Sequence, residues 1–330
     1  MRVLALLHAY PPAHGAGAEW MAHSLFRALI TAGHDVDVVL SRDDLVRDPY
    51  DLDGVAVHPH RDKRTVFEHL PAADVIVTHL ENTPRASILG RMHGKPVVHL
   101  LHNTFDPTRN WIRTGRPSLL VFNSRWMRAD YVRWLRTHGV PEPASLVVHP
   151  PVYADDYRTT PGDHATLVNL TWAKGAETFY GLAERFPRRK FLGVLGGYGE
   201  QIVRDLPNVE IILNTPDMRD EVYARTQVLM APSEYESWGR VGVEAMCSGI
   251  PVLAHPTPGL TESLGEAGTF ADRDNLDEWA AALKRLLAPR GWLVASKKAT
   301  RRAAELDPAA DLAAWVDAVE QLRTPVARRA

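Results

Sequence analysis

Short apolar runs recur along this chain without the apolar–polar alternation of a strand that has one wet face, and stretches of helical character lie between them. Val3–His8, Val36–Leu40, Val55–His60, Asp74–His79, Pro96–His102, Leu119–Ser124 and Leu146–Pro150 read as buried strands, with helices at Ala18–Ala32, Arg85–Met92 and Ser124–Arg136. Pro150-Pro151 and the polar run Ala154–His164 read as a linker. A second series follows, with strands at Ala165–Leu170, Lys190–Gly196, Val209–Asn214, Val228–Ser233, Pro251–His255 and Gly268–Ala271. Its helices fall at Ala176–Arg185, Met218–Thr226, Trp238–Cys247 and Asn275–Leu287, and the tail Gly291–Arg323 is mostly helical with a break near Pro308. Alternation of this kind requires parallel sheets covered by helices on both faces. The expected fold is α/β, two doubly wound parallel-sheet (Rossmann-like) domains facing a cleft. The boundaries are residues 1–152 and 153–308, with a helix in 309–330 packing back toward the first domain.

With 330 residues, 45% hydrophobic and 24% charged, the chain has material for two cores. A net charge of −2 gives no general attraction to nucleic acid or membrane. The lone Cys247 excludes an internal disulfide and, on an apolar helix, reads as a buried structural thiol. No apolar run approaches the ~20 residues of a membrane span, and Met1–Leu7 reads as a first strand rather than a signal peptide. The expected location is cytoplasmic, with room for peripheral contact with a membrane.

The richest stretch runs from Ala231 to Ala254 and reads strand, loop, helix, turn, strand. Ser237 is placed to cap the helix, and Gly249 with Pro251 to end it. Glu236 and Glu244 lie eight positions apart across the loop–helix junction. On one continuous helix they would diverge by about 80°. With Glu236 on the loop, both can face the space above the helix N-terminus, whose free amides and dipole suit a phosphate. Carboxylates beside a phosphate site are suited to sugar hydroxyls.

Other signals also fall at strand ends. The loop His8–Glu19 carries Gly15 and Gly17 before a helix, which serves either a tight turn or the close approach of a ligand. His79 and the pair His102-Asn103 end two strands, whereas His99 sits inside one as a core histidine. No H-E-x-x-H or Cys/His spacing occurs, so no metal ligands and no cofactor are expected, and Asp35 and Asp37 read as strand surface. Residues 107–136 hold seven arginines and one acid, Asp130. Arg125, Arg128, Arg133 and Arg136 occupy one helix face, which reads as an ordinary solvated face or as a basic patch for an anionic acceptor or a membrane surface. In the second half Asn169 and Lys174-Gly175, then Gly196-Gly197, then Asn214-Thr215 end successive strands.

Taken together these residues resemble the family-4 glycosyltransferases of the GT-B fold, retaining enzymes that use nucleotide sugars. The resemblance rests on Tyr10-Pro11-Pro12, Gly17-Ala18-Glu19, Gly33–Val36, His102, Asn123-Ser124, Lys174-Gly175 and Gly196-Gly197. It is most specific over Pro232–Val252, with Glu236, Ser237, Trp238, Gly239, Glu244 and Gly249. It implies an acceptor-side first domain and a nucleotide-sugar-binding second domain. Gly17 would lie against the donor phosphate or sugar, and His102 would hydrogen-bond the donor sugar near the reacting centre. Lys174 would neutralise the diphosphate, Glu236 would hold sugar hydroxyls and Glu244 the ribose. The backbone at Asn214 and Thr215 would meet the base. His102, Glu236 and Lys174 are then the catalytic candidates, and Asn169, Ser237, Trp238, Gly239, Arg240 and Val241 complete the donor site. On the acceptor side the candidates are His14, His79, Asn103 and Arg109.

Two departures stand out. The family often has Gly-Arg-Leu before its Lys-Gly, and here Val168-Asn169-Leu170 lacks the arginine. Arg240 stands where the family usually has an aliphatic residue, which suggests that it restores the missing charge at the diphosphate. The resemblance implies transfer with retention from a UDP-sugar first, or a GDP-sugar second, by a front-face displacement without a metal. The acceptor is open between a lipid-linked sugar, a small molecule, a protein and a modified nucleic acid. A sugar-nucleotide epimerase and a non-catalytic nucleotide-sugar or glycan-binding protein are the alternatives.

Overall fold

A computed structural model of the chain describes residues 1–42, 46–59 and 64–323. The chain divides into two compact units, one of Met1–Pro151 with the segment from Pro308 onward, the other Val152–Asp307. His60, the middle of the loop Arg42–Tyr50 and residues 324–330 of the expected terminal helix lie outside the described residues.

In the first unit the strands are β1 (Arg2–Leu7), β2 (Asp35–Leu40), β3 (Tyr50–Leu52), β4 (Val55–His58), β5 (Val75–His79), β6 (Val97–Leu101), β7 (Leu119–Phe122) and β8 (Ala144–Val147). They form one sheet in the order β3-β4-β2-β1-β5-β6-β7-β8. Residues of β5, β6 and β7 are buried throughout, which is why those runs carry no alternation. β1 shows how both faces are covered: Val3, Ala5 and Leu7 enter one core, while Leu4 and Leu6 enter another. One strand departs from the expected pattern. β3 runs antiparallel to β4 as an edge hairpin. Its turn is Asp53-Gly54, both at positive φ, a short-range hairpin signal present in the sequence.

The helix Ala309–Gln321 belongs to this first unit. Trp315 and Val319 are fully buried in the same core as Phe26 and Leu29, and the Trp315 indole donates to the Leu25 carbonyl at 2.9 Å. Asp311 accepts from both the backbone N–H and the ring of His149, at 2.9 and 2.7 Å.

The second unit is a six-stranded parallel sheet. Its strands are β9 (His164–Val168), β10 (Phe191–Val194), β11 (Val209–Ile212), β12 (Thr226–Ala231), β13 (Val252–Ala254) and β14 (Thr269–Phe270), in the order β11-β10-β9-β12-β13-β14. Its faces carry two cores, one around Phe179, Tyr180 and Trp279, the other around Tyr223, Trp238 and Met246. The expected linker is partly structured, because Ala154–Tyr157 forms a short helix whose tyrosine packs within this unit. The expected helix Met218–Thr226 is a π turn followed by a 3-10 turn. The Cys247 thiol is buried, donates to the Val243 carbonyl and is pushed up to about 12 by burial, as suits a structural residue.

No described helix is long and apolar enough to cross a membrane.

Candidate functional site

Strand order reverses direction once in each sheet, between β1 and β5 in the first and between β9 and β12 in the second. Loops leaving the carboxyl ends of two such strands turn to opposite faces and open a crevice, the usual ligand position in an open α/β sheet. In the second unit the loops carrying Lys174 and Glu236 leave from there, and in the first unit His8 and His79 end the two strands.

In the second unit the loops after β9 and β12 are joined. Thr171 caps a single 3-10 turn, Trp172–Lys174, which ends at Gly175. Gly175 has φ 87°, and a Cβ there would lie 2.4 Å from Pro232. The Glu234 N–H donates to the Ala173 carbonyl at 2.8 Å, holding the second loop against the first. Lys174 Nζ donates to Glu236 Oε1, which also accepts from Ser233 Oγ at 2.9 Å. Burial pulls the Lys174 pKa down, but the Glu236 carboxylate outweighs it and holds the ammonium above the usual lysine range. Lys174 therefore stays charged, about one-fifth exposed, at the crevice of its own unit.

The following helix begins later than expected. It runs Arg240–Cys247, and Gly239 rather than Ser237 takes the N-cap position, without a side-chain cap. Gly239 has φ 87°, and a Cβ there would meet Leu260 at 2.5 Å, so the loop tolerates only glycine here. Trp238 and Glu244 are buried. Both Glu244 oxygens hold protein partners, with Arg240 Nε on Oε1 at 2.6 Å and the Tyr223 hydroxyl on Oε2 at 2.7 Å. Arg240 donates again to the Tyr157 hydroxyl at 2.8 Å, and its Nη1 is buried without a hydrogen bond. Arg240 is thus held by Glu244 and Tyr157 within the second unit. Its charge is matched by a carboxylate one turn along the same helix. Tyr157, Tyr223 and Ser233 went unassigned in the sequence, since nothing local marks them as partners.

Asn169 is buried at φ 71°, and its Oδ1 accepts from Gln201 Nε2 at 2.9 Å. Gln201 Oε1 in turn accepts from the N–H groups of Leu170 and Gly196, bracing the first two strand ends. Asn214 adjoins Gly197, and Thr215 Oγ1 accepts from the Asp217 N–H at 3.0 Å. The Val241 carbonyl accepts weakly from Tyr223, at 3.4 Å.

In the first unit, three adjacent parallel strands each deliver a histidine at the carboxyl end: His8 after β1, His79 in β5 and His102 after β6. His8 Nδ1 lies 3.2 Å from His79 Nε2, and His79 Nδ1 lies 3.2 Å from His102 Nε2. His8 Nε2 is 3.1 Å from Glu19, in the first turn of the helix Gly17–Thr31. Glu19 is 2% exposed and its Oε2 has no hydrogen bond. Burial drives His79 well below the usual histidine value and His102 down to about 4, aided in each case by neighbouring imidazoles. For His8 burial is outweighed by the hydrogen bond and charge of Glu19, which raise it.

Neither Gly15 nor Gly17 adopts positive φ, so the tight-turn explanation of that loop is not needed, and the space beside Gly17 is open to 4 Å. His14 lies 6.0 Å from the His8 ring. Asn103 Oδ1 accepts from the Phe105 N–H and Thr108 Oγ1, starting the helix Asp106–Gly115. Arg109 pairs with Asp130 and lies over the Tyr131 ring. His99 hydrogen-bonds Thr83 in the core.

The fold also assembles groups that sequence spacing could not reveal. His8, Glu19 and His79 bring one ligand atom each within 4.8 Å of one another, as do Asp37, His58 and His69. In the first group the atoms serve each other in series, as described above.

Two family descriptions match the chain in succession: "Glycosyltransferase Family 4" over residues 15–155 and "Glycosyl transferases group 1" over residues 172–289. A D-inositol 3-phosphate glycosyltransferase of Rhodococcus jostii is 36% identical over 92 residues, 27% of this chain and 20% of that protein. An α-1,3/1,6-mannosyltransferase of Neurospora crassa is 36% identical over 91 residues, 26% of this chain and 19% of its own length. These matches therefore span only about a fifth of the curated relatives. Among solved structures, sucrose-phosphate synthase of Thermosynechococcus elongatus superposes with a TM-score of 0.77 at 17% identity, covering 98% of this chain and 99% of that one. Anabaena HepE in complex with UDP and glucose gives 0.75 at 17% identity, covering 97% and 100%. With two doubly wound units, and one family description on each, the chain belongs to the family-4 (group 1) glycosyltransferases of GT-B fold.

Proposed function

We propose that this chain transfers a sugar from a nucleoside-diphosphate sugar to an acceptor hydroxyl, with retention at the anomeric carbon and without a metal ion. The observation that carries the reading is Lys174 held on Glu236 at the switch point of the second sheet, one loop away from the helix N-terminus at Gly239. As the sugar–phosphate bond breaks, negative charge grows on the diphosphate. Lys174 and the first amides of the helix Arg240–Cys247 meet that charge, while Glu236 holds sugar hydroxyls. Glu244, fixed by Arg240 and Tyr223, lies in the second turn toward the ribose. His102, at the end of β6, is the catalytic candidate that the first unit contributes. UDP is the first choice of donor base and GDP the second, supported by the HepE structures, which hold UDP with glucose, and UDP-glucose. The acceptor docks on first-unit loops.

The test is incubation with UDP- and GDP-sugars in the presence and absence of EDTA. Slow release of the nucleoside diphosphate that is indifferent to EDTA supports the proposal. An epimerised donor, or tight binding with no turnover, rejects it. Loss of turnover in EDTA rejects the metal-free part alone.

A further inference from the structure

The three histidines and Glu19 form an unbroken series: Glu19 to His8, His8 to His79, His79 to His102, with contacts of 3.1, 3.2 and 3.2 Å. Each imidazole joins its neighbours through both ring nitrogens, except His102, which uses Nε2 and leaves Nδ1 outside the series. The tautomers along such a series are not independent. With Glu19 ionised and all three rings neutral, His8 Nε2–H donates to the carboxylate, leaving Nδ1 bare. His79 Nε2–H then donates to His8 Nδ1, His102 Nε2–H donates to His79 Nδ1, and His102 Nδ1 ends as a lone pair.

One added proton reverses every link. As the Nδ1 of His102 gains a proton, its Nε2 proton passes to His79 Nδ1 and the Nε2 proton of His79 passes to His8 Nδ1. His8 is then an imidazolium on Glu19, while His79 and His102 are again neutral in the opposite tautomer. The charge comes to rest on the one ring that has a carboxylate beside it, and two rings without one carry it there.

We propose that Glu19, His8, His79 and His102 are a proton wire at the switch point of the first sheet, through which a hydroxyl proton accepted at His102 becomes positive charge on His8. Its use in this chain rests on the glycosyl-transfer reading, in which His102 is the catalytic candidate of the first unit; the wire itself rests on contacts within that unit. In the transfer step the acceptor O–H bond breaks and its electron pair forms the new bond to the anomeric carbon. The sugar–phosphate bond leaves with its pair on the diphosphate, and the proton enters the wire. The leaving phosphate is the rival receiver of that proton. His79, wholly buried, is a positioning residue in this scheme, and it gives a reason for an imidazole at a place where burial disfavours its charge. The charged and titratable groups facing His8 are Glu19, His79, Glu81, Arg42 and His14, and those facing His102 are His79, His99, His8 and Glu19.

The test reads tautomers directly, by long-range proton–nitrogen NMR of the whole chain labelled at histidine nitrogens, titrated with a chelator present. The expected result is that His102 changes from the Nε2–H to the Nδ1–H tautomer, still neutral, at the pH where His8 gains its proton. In Glu19→Gln that midpoint falls by about one unit or more, because the opposing charge beside His8 is gone. In His79→Leu, and in the milder His79→Asn, the tautomer of His102 no longer follows His8. A His102 that keeps one tautomer while His8 titrates, or that gains its own charge, overturns the wire. So do ring nitrogens that change on adding the chelator. In the transfer assay the same His79 variants lose roughly tenfold or more in kcat with little change in donor KM. An unchanged kcat gives the proton to the phosphate and overturns the catalytic use of the wire. Absence of any transfer by the parent chain removes the glycosyl-transfer reading and leaves the NMR result standing.

Discussion

Lys174 and Glu236, sixty-two residues apart, meet across the switch point of the second sheet, their contact reinforced by Ser233. The lysine charge that a diphosphate needs is thus already partnered before any donor arrives, and donor binding exchanges one anion for another. Replacing the carboxylate frees the ammonium and removes a negative charge from the neighbourhood of the phosphate. Glu236→Gln is expected to bind free nucleoside diphosphate several-fold more tightly while losing the extra affinity for the sugar-bearing donor. Calorimetry with UDP and UDP-sugar side by side checks this, and a parallel change in both affinities counts against it. Lys174→Ala is expected to lower turnover by roughly 10²–10³-fold, the usual loss of one donor at a developing oxyanion.

Arg240 and Glu244 form a buried pair, 12% and 6% exposed, with Tyr157 and Tyr223 on either side. Breaking such a pair leaves a bare buried charge. Arg240→Ala is expected to cost about 3–5 kcal/mol of stability, whereas the double change Arg240→Met with Glu244→Met is expected to be nearly neutral. Urea unfolding of the single and double variants measures the difference. Equal losses in both would show that the charges do not depend on each other. Donor affinity in Arg240→Ala has meaning only at temperatures where the variant is folded.

Desolvation depresses the pKa of the buried His79 and His99 and of the half-buried His102, His99 to about 3 and His102 to about 4. Above pH 6.5 they are neutral in both folded and unfolded chains and cost nothing. Below 6.5 the unfolded chain takes up protons that the folded chain refuses, so stability falls with falling pH until the folded groups titrate. Each histidine contributes a slope of about 1.4 kcal/mol per pH unit in that window. His99→Gln, outside the histidine series, is expected to remove one such increment between pH 6 and 4. Unfolding free energies at several pH values check the slope, and an unchanged slope assigns the acid sensitivity elsewhere.

On the helix Arg125–Thr137 a groove of about 520 Å³ is lined by Arg128, Arg133 and Arg136, with Glu142 at its side. Glu142 approaches Arg128 at 3.5 Å and Arg136 at 3.9 Å, so the groove sets one acid against three arginines. Replacing Arg125, Arg128, Arg133 and Arg136 together is expected to spare slow donor hydrolysis and to weaken transfer to an anionic acceptor, with the loss shrinking at high salt. Transfer that survives unchanged assigns the groove to ordinary surface.

Strands and long helices were legible because burial on both faces leaves uninterrupted apolar runs, and β5, β6 and β7 are such runs. The helix Asp106–Gly115 was not, since only Thr108, Ile112 and Gly115 of its residues are buried. The β3–β4 hairpin is signalled only by Asp53-Gly54, since β3 is three residues long and none of them is buried. For the site, single residues were legible and pairings were not. His79 and His102 could be placed at strand ends, but their contact with each other depends on β1, β5 and β6 being neighbours, a property of sheet order. Arg240 finds Tyr157 across eighty-three residues, through a helix within what reads as a linker. A charge unusual for its position was visible; the partner that answers it was not.

The helix Ala309–Gln321 supplies Trp315 and Val319 to the core of the first unit. The second unit is continuous, whereas the first is interrupted by it. On a ribosome, residues 1–151 therefore emerge first and wait, with the Trp315 seat beside Leu25, Phe26 and Leu29 uncovered, until the whole of the second unit has been made. The later unit in sequence is the earlier one to be complete. Expressed alone, residues 152–307 carry every side chain of their two cores, but residues 1–151 present an open apolar seat to chaperones and to one another.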